Sequence, residues 1–142
     1  MGAVNAFLGH GDYLFSKGKN IYFADYLGGS KRLYLPWDLD SVMSQVNHNI
    51  FNPGDHYADE LLAVPLFRDQ YKTILSDLLD GSMHVYEMHA FLDQMEPILT
   101  PWLLLDANNQ LGDANGIASK FQGLKDWVVH RDAIVRAQIA ND

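Results

Sequence analysis

The run Asn20-Ile21-Tyr22-Phe23-Ala24-Asp25-Tyr26 is followed by Leu27-Gly28-Gly29-Ser30-Lys31, then by Arg32-Leu33-Tyr34-Leu35 and Pro36-Trp37-Asp38-Leu39-Asp40. Two short stretches rich in aromatic and branched side chains, set on either side of a Gly-Gly turn, predict a β-hairpin. Pro36 has no N–H to give to a ladder, so the second strand is expected to stop there and leave Trp37-Asp38-Leu39-Asp40 at its exit. A hairpin returns its far end to its near end. Asn20 and Asp38, 18 positions apart in sequence, are therefore expected within several ångström of each other. Asp38 and Asp40 lie in a stretch from Leu33 to Phe67 that also holds Asp55, Asp59 and Glu60 and has no Lys or Arg. Two carboxylates separated by one residue repel unless a cation, such as Mg²⁺ or Ca²⁺, sits between them.

Working outward toward the amino terminus, Ala3 to Leu8 read as the end of a helix terminated by Gly9 and Gly11, with a loop from Asp12 to Lys19. Asp12 can face the same point as Asn20 and Asp38. One carboxylate free to accept a hydroxyl proton, with an Asn and one or two Asp to hold divalent cations, is the set of parts of a protein-kinase-like phosphoryl-transfer site. The order matches that plan, but the spacing does not. Asp12 and Asn20 are eight residues apart, where the usual catalytic loop has five, and no Asp-Phe-Gly follows the hairpin. His10 reads as a turn residue, and Trp37 as a core anchor between strand and helices.

Downstream, Gln45 to Tyr57 is polar and turn-rich and reads as an ordered loop. Pro65 suits a first helical position. Phe67, Tyr71, Ile74, Leu75 and Leu78 then recur at helical spacing until Gly81. Ser82 is expected to cap a second helix with the stripe Val85, Met88, Leu92, Met95 and Leu99, which Pro97 and Pro101 must kink or end. Ile117, Phe121, Leu124, Val128, Val135 and Ile139 line a last helix, widened by Trp127 and Ile134. The predicted architecture is α+β, a β-hairpin followed by a mostly helical lobe. A two-stranded hairpin is not stable alone, so either it packs on the helices or part of the domain is absent.

Composition narrows the function classes. The chain has 142 residues, 48% hydrophobic, and 10 Lys+Arg against 18 Asp+Glu, a net charge of −8. That balance argues against a surface that neutralises nucleic-acid phosphates. With no cysteine, thiolate metal sites and thiol nucleophiles are excluded. No apolar run approaches the ~20 residues of a membrane span, and the first residues lack the pattern of a signal peptide. From Thr73 to Ser119 there is no Lys or Arg and seven carboxylates, a solvated face with which Arg131 and Arg136 are expected to pair. His84 and His89 are five apart, about 140° round a helix, which speaks against a zinc site.

Lys19-Asn20-Ile21-Tyr22-Phe23, the Gly28-Gly29 turn, Arg32-Leu33-Tyr34-Leu35 and Pro36-Trp37-Asp38-Leu39-Asp40 resemble the hallmark of the CotH kinase family, named for a spore-coat protein. Its pattern is an Asn opening an aromatic strand, a short turn, a second strand and Pro-Trp-Asp-x-Asp. Leu66 to Tyr71 and Val129 to Gln138 are similar to later helices of that family. Ser41-Val42-Met43 departs from it, standing where an aromatic residue and a glycine are common.

The resemblance implies an atypical protein kinase that transfers phosphate from ATP to protein serines or threonines with Mg²⁺ or Mn²⁺, in a secreted, cell-surface or spore-coat setting. Carried over by position, Asp12 is the catalytic Asp, Asn20 the metal-binding Asn, and Asp38 and Asp40 the metal-binding carboxylates. Only 11 residues precede Asp12, too few for a lobe that covers the nucleotide. Residues 1–142 are thus expected to be a partial domain, the carboxyl-terminal lobe of such a kinase, inactive in isolation. The alternative is a catalytically silent, metal-stabilised binding module of a spore-coat or cell-envelope protein.

Overall fold

The computed structural model describes residues 2–10, 21–51 and 56–142. Strands β1 (Ile21–Tyr26) and β2 (Lys31–Pro36) form an antiparallel hairpin whose register runs from Ile21 opposite Pro36 to Tyr26 opposite Lys31. Gly28 and Gly29 turn the chain at φ 66° and 82°, which glycine adopts without a Cβ clash. The Ser30 amide and hydroxyl donate to the Leu27 carbonyl at 3.3 and 2.8 Å and close the turn. Asp25 and Arg32 stand opposite one another, and the guanidinium grips both carboxylate oxygens at 2.7 and 3.1 Å.

Five helices accompany the hairpin among the described residues: α1 (Gly2–Phe7), α2 (His56–Leu62), α3 (Pro65–Asp80), α4 (Val85–Leu105) and α5 (Ala114–Ala140). The α+β class expected from the sequence holds. Helix α2 occupies the end of the stretch read as loop.

Helix α3 starts at Pro65, whose missing N–H costs nothing in the first turn, and stops at Gly81. Leu75 and Leu79 are fully buried, with Tyr71 and Leu78 beside them, whereas Phe67 and Ile74 face solvent. Ile74 precedes Leu75 by one residue, about 100° round the helix, and so falls off the covered face.

One expectation for α4 is corrected. Its cap is His84 and not Ser82, with His84 Nδ1 accepting from the Tyr86 amide at 3.2 Å. Of the two outcomes open to Pro97 and Pro101, a kink or an end, the end does not occur: the helix continues to Leu105. The two prolines are four apart and exposed, so the carbonyls they leave without a helical donor lie on the wet side, where water can serve them. At the start of α5, Asp113 accepts from the Asn115 and Gly116 amides, both at 3.0 Å.

The core has two parts. Ala3, Ala6 and Phe7 of α1 pack with Ile50, Leu75, Leu79, Met83 and Val135. Leu92 of α4 packs with Ile117 and Phe121 of α5. Helix α5 belongs to both and is the beam of the molecule.

The hairpin stands apart from this core. Tyr22 and Phe23, adjacent and so on opposite faces, are 57% and 51% exposed, and on the other strand Leu35, opposite Tyr22, and Leu33, opposite Ala24, are exposed as well. Trp37 is 60% exposed, which corrects its reading as a core anchor; its ring stands nearly perpendicular to that of Tyr22, with centroids 5.6 Å apart.

Candidate functional site

Strand β2 ends at Pro36, and Asp38 and Asp40 follow in the turn beyond it. Asp38 adopts φ 56°, a left-handed conformation that Asp tolerates better than most side chains, and Met43 adopts φ 58° at the far end of the same turn. Asp40 accepts from the Ser41 hydroxyl at 3.1 Å, and the Ser44 hydroxyl donates to the Ser41 carbonyl at 3.0 Å. Both carboxylates are exposed, and no described Lys, Arg or His forms an ion pair with either.

Asp12 and Asn20 lie outside the described residues. Strand β1 opens directly after Asn20, and its first residue, Ile21, is paired with Pro36, two residues before Asp38. Among the described residues there is no group of three or more His, Asp or Glu placed to hold a metal. His84 is engaged in capping α4, and His89 Nε2 lies 3.0 Å from the Lys125 carbonyl. The donors that Asp38 and Asp40 offer are hard anionic oxygens open to solvent, which suits Mg²⁺ or Mn²⁺; an Asn side chain such as that of Asn20 offers a hard but neutral amide oxygen.

Behind the turn lies a junction that sequence reasoning missed. The Met43 amide donates to the Leu8 carbonyl at 2.7 Å. Gly9, at φ 62°, lies so close to Gln45 that a Cβ there would sit 2.8 Å from the Gln45 carbonyl oxygen. Arg131 of α5 is fully buried at the same place. Its Nε and Nη2 donate to the Phe7 and Ala6 carbonyls at 2.8 and 2.6 Å, and its Nη1 donates to those of Val46 and His48, both at 2.7 Å.

Arg131 does not pair with the acidic block as expected, whereas Arg136 does, reaching Asp80 of the block at 2.9 Å, and it also reaches Asp132 of its own helix at 3.0 Å. The signal for Arg131 was its place in register with Val128 and Val135, a cation at spacing i+3 and i+7 on an apolar stripe. Burial pulls its pKa down to about 10, which still leaves it charged at neutral pH. His48, beside it, is held below the ordinary imidazole value by burial and then by the Arg131 charge.

An exposed carboxylate pair on a partly left-handed turn, presented by a hairpin and braced by a helical layer, defines an α+β domain with a carboxylate-bearing hairpin exit. Residues 1–135 match the family of CotH kinase proteins, and the chain belongs to the CotH kinase family. No curated protein and no solved structure matches the chain. Membership in that family brings a kinase-type function, with a nucleotide and a divalent metal in general terms. No described helix is long and apolar enough to cross a membrane.

Proposed function

We propose that residues 1–142 are the carboxyl-terminal lobe of a CotH-type protein kinase and carry the metal-holding side of a site that transfers the γ-phosphate of ATP to Ser or Thr of a protein, such as one of a spore coat or cell envelope. The observation that supports this most is Asp38 at a left-handed φ beside Asp40, both exposed and without a cationic partner among the described residues, in a chain of that family. A non-glycine residue held in a sparsely populated conformation points to a use for its side chain.

In this reading Asp38, Asp40 and Asn20 would hold Mg²⁺ or Mn²⁺, and Asp12 accepts the proton of the substrate hydroxyl as the hydroxyl oxygen bonds to the γ-phosphorus and the bond from that phosphorus to the β-phosphate oxygen breaks, releasing ADP. When bound, the metal neutralises charge on the nucleotide phosphates. The chain's own part is to hold these oxygens in place and to leave one carboxylate free for the proton. The described strands form one hairpin, which leaves phosphate covering to elements outside it. The isolated chain is therefore expected to bind metal without efficient phosphoryl transfer.

Thermal unfolding with Mg²⁺ or Mn²⁺, with and without ATP, on the parent chain and on Asp38→Ala, tests this. Metal at one hundred times its dissociation constant stabilises the parent by about 2.7 kcal/mol, and Asp38→Ala is expected to lose that gain. No shift at millimolar metal overturns the metal site. Robust phosphorylation of a Ser/Thr protein by these 142 residues alone overturns the partial-domain reading. A metal shift that persists while ATP adds nothing, in a longer chain as in this one, supports the silent, metal-stabilised binding module.

A further inference from the structure

We propose that Arg131 is a positioning residue for the Asp38–Asp40 turn, acting through the backbone junction behind it; this rests on the metal-binding reading given above. The guanidinium is fully buried, and among the described residues it donates to four main-chain carbonyls drawn from two segments. Ala6 and Phe7 belong to the segment that runs into residues 11–20, where Asp12 and Asn20 are. Val46 and His48 belong to the segment that runs out of the turn carrying Asp38 and Asp40.

Among the described residues no carboxylate pairs with Arg131, and the guanidinium is met there by the dipoles of four carbonyls. An apolar side chain of similar volume would fill the space without the cost of removing a cation from water. What an apolar side chain cannot do is fix two backbone segments at once, which the planar fork of donors does. Two further contacts fasten the same junction: the Met43 amide on the Leu8 carbonyl at 2.7 Å and the close approach of Gly9 to Gln45. Met43 is only three residues from Asp40, so the junction sets where the carboxylate turn begins its return. Arg131 thus stands to the carboxylates as an outer-shell group stands to metal ligands, touching none of the reacting atoms and determining where their backbone lies.

The test uses Mn²⁺ alone as probe on the full chain, with free Mn²⁺ read by electron paramagnetic resonance. Wild type, Asp38→Ala, Arg131→Lys, Arg131→Met and Leu92→Ala are compared well below each melting temperature. Loss of an outer-shell group commonly weakens metal binding about 10–100-fold, and that is the expected effect of both Arg131 variants at unchanged helical circular dichroism. Leu92→Ala, in the other core cluster, is expected to melt earlier with its Mn²⁺ affinity intact, which separates positioning from stability.

Wild-type affinity in folded Arg131 variants, with Asp38→Ala impaired, overturns the inference and leaves the metal site standing. A wild type that binds no Mn²⁺, or an Asp38→Ala that binds like wild type, overturns the metal reading and the inference with it. Where neither Arg131 variant folds, hydrogen exchange on the wild type decides. Amides in residues 2–10 and 43–50 are expected to exchange more slowly with Mn²⁺, and exchange unchanged by Mn²⁺ in both segments overturns the coupling.

Discussion

Asp38 at φ 56° and His48 behind it show two ways in which a single residue departs from its ordinary state. Asp38 carries a backbone conformation, His48 a protonation preference. His48 Nε2 is buried with no hydrogen-bond partner among the described residues, and burial and the nearby Arg131 charge both disfavour its cation. Unfolding returns it to the ordinary value of 6.5, so the unfolded chain binds more protons between the lowered value and 6.5. Stability is then complete above that window and falls as pH drops through it. Melting temperature measured from about pH 7.5 to 5 is expected to decline for wild type and to decline less for His48→Gln; equal slopes would count against it. Little of this was legible beforehand. The sequence shows that Asp38 and Asp40 lie in a stretch without cations, but a φ angle and a buried imidazole depend on chain segments that meet only in three dimensions.

At the scale of the element, the hairpin was the most legible part. Aromatic alternation, the glycine pair and Pro36 are local signals, and the observed strands fall within a residue of the reading. The start of helix α4 was less legible, since Ser82 is not its cap, and of the kink or end open to its prolines the end does not occur. Proline rules concern one donor and one clash, and their outcome depends on whether the freed carbonyls face water. Replacing Pro97 or Pro101 by Ala restores a helical N–H on the exposed side. Each substitution is expected to raise stability by about 1–3 kcal/mol, read as a higher urea midpoint with an unchanged slope. A lower midpoint would mean that the prolines are needed by the packing of α4 on α5. Phe91, Ile98, Trp102 and Leu105 of α4 remain exposed, spaced along one side of that helix.

For the whole molecule, α5 joins two core clusters, and the larger one gathers α1, Ile50, α3 and the end of α5. Leu79 is fully buried there, and Leu79→Ala is expected to cost about 2–5 kcal/mol, with the unfolding midpoint as the measure. A cost near zero would mean that this cluster does not hold the lobe together. The acidic excess is partly answered within the fold, by Arg136 on Asp80 and Lys125 on Asp93, while Asp38 and Asp40 stay without a described partner.

By itself, the sequence determined the hairpin, the carboxylates at its exit, the α+β class and the family, because each is written in spacing over a few residues or in a short string. Only the tertiary structure decided that Trp37 faces solvent, that Arg131 turns from the acidic block to four carbonyls, and that α1 is fastened to the 43–48 segment. The physical reason is that burial and hydrogen-bond pairing are properties of segments brought together from opposite ends of the chain. Phe7 and Arg131, 124 positions apart, share a bond that no local pattern encodes.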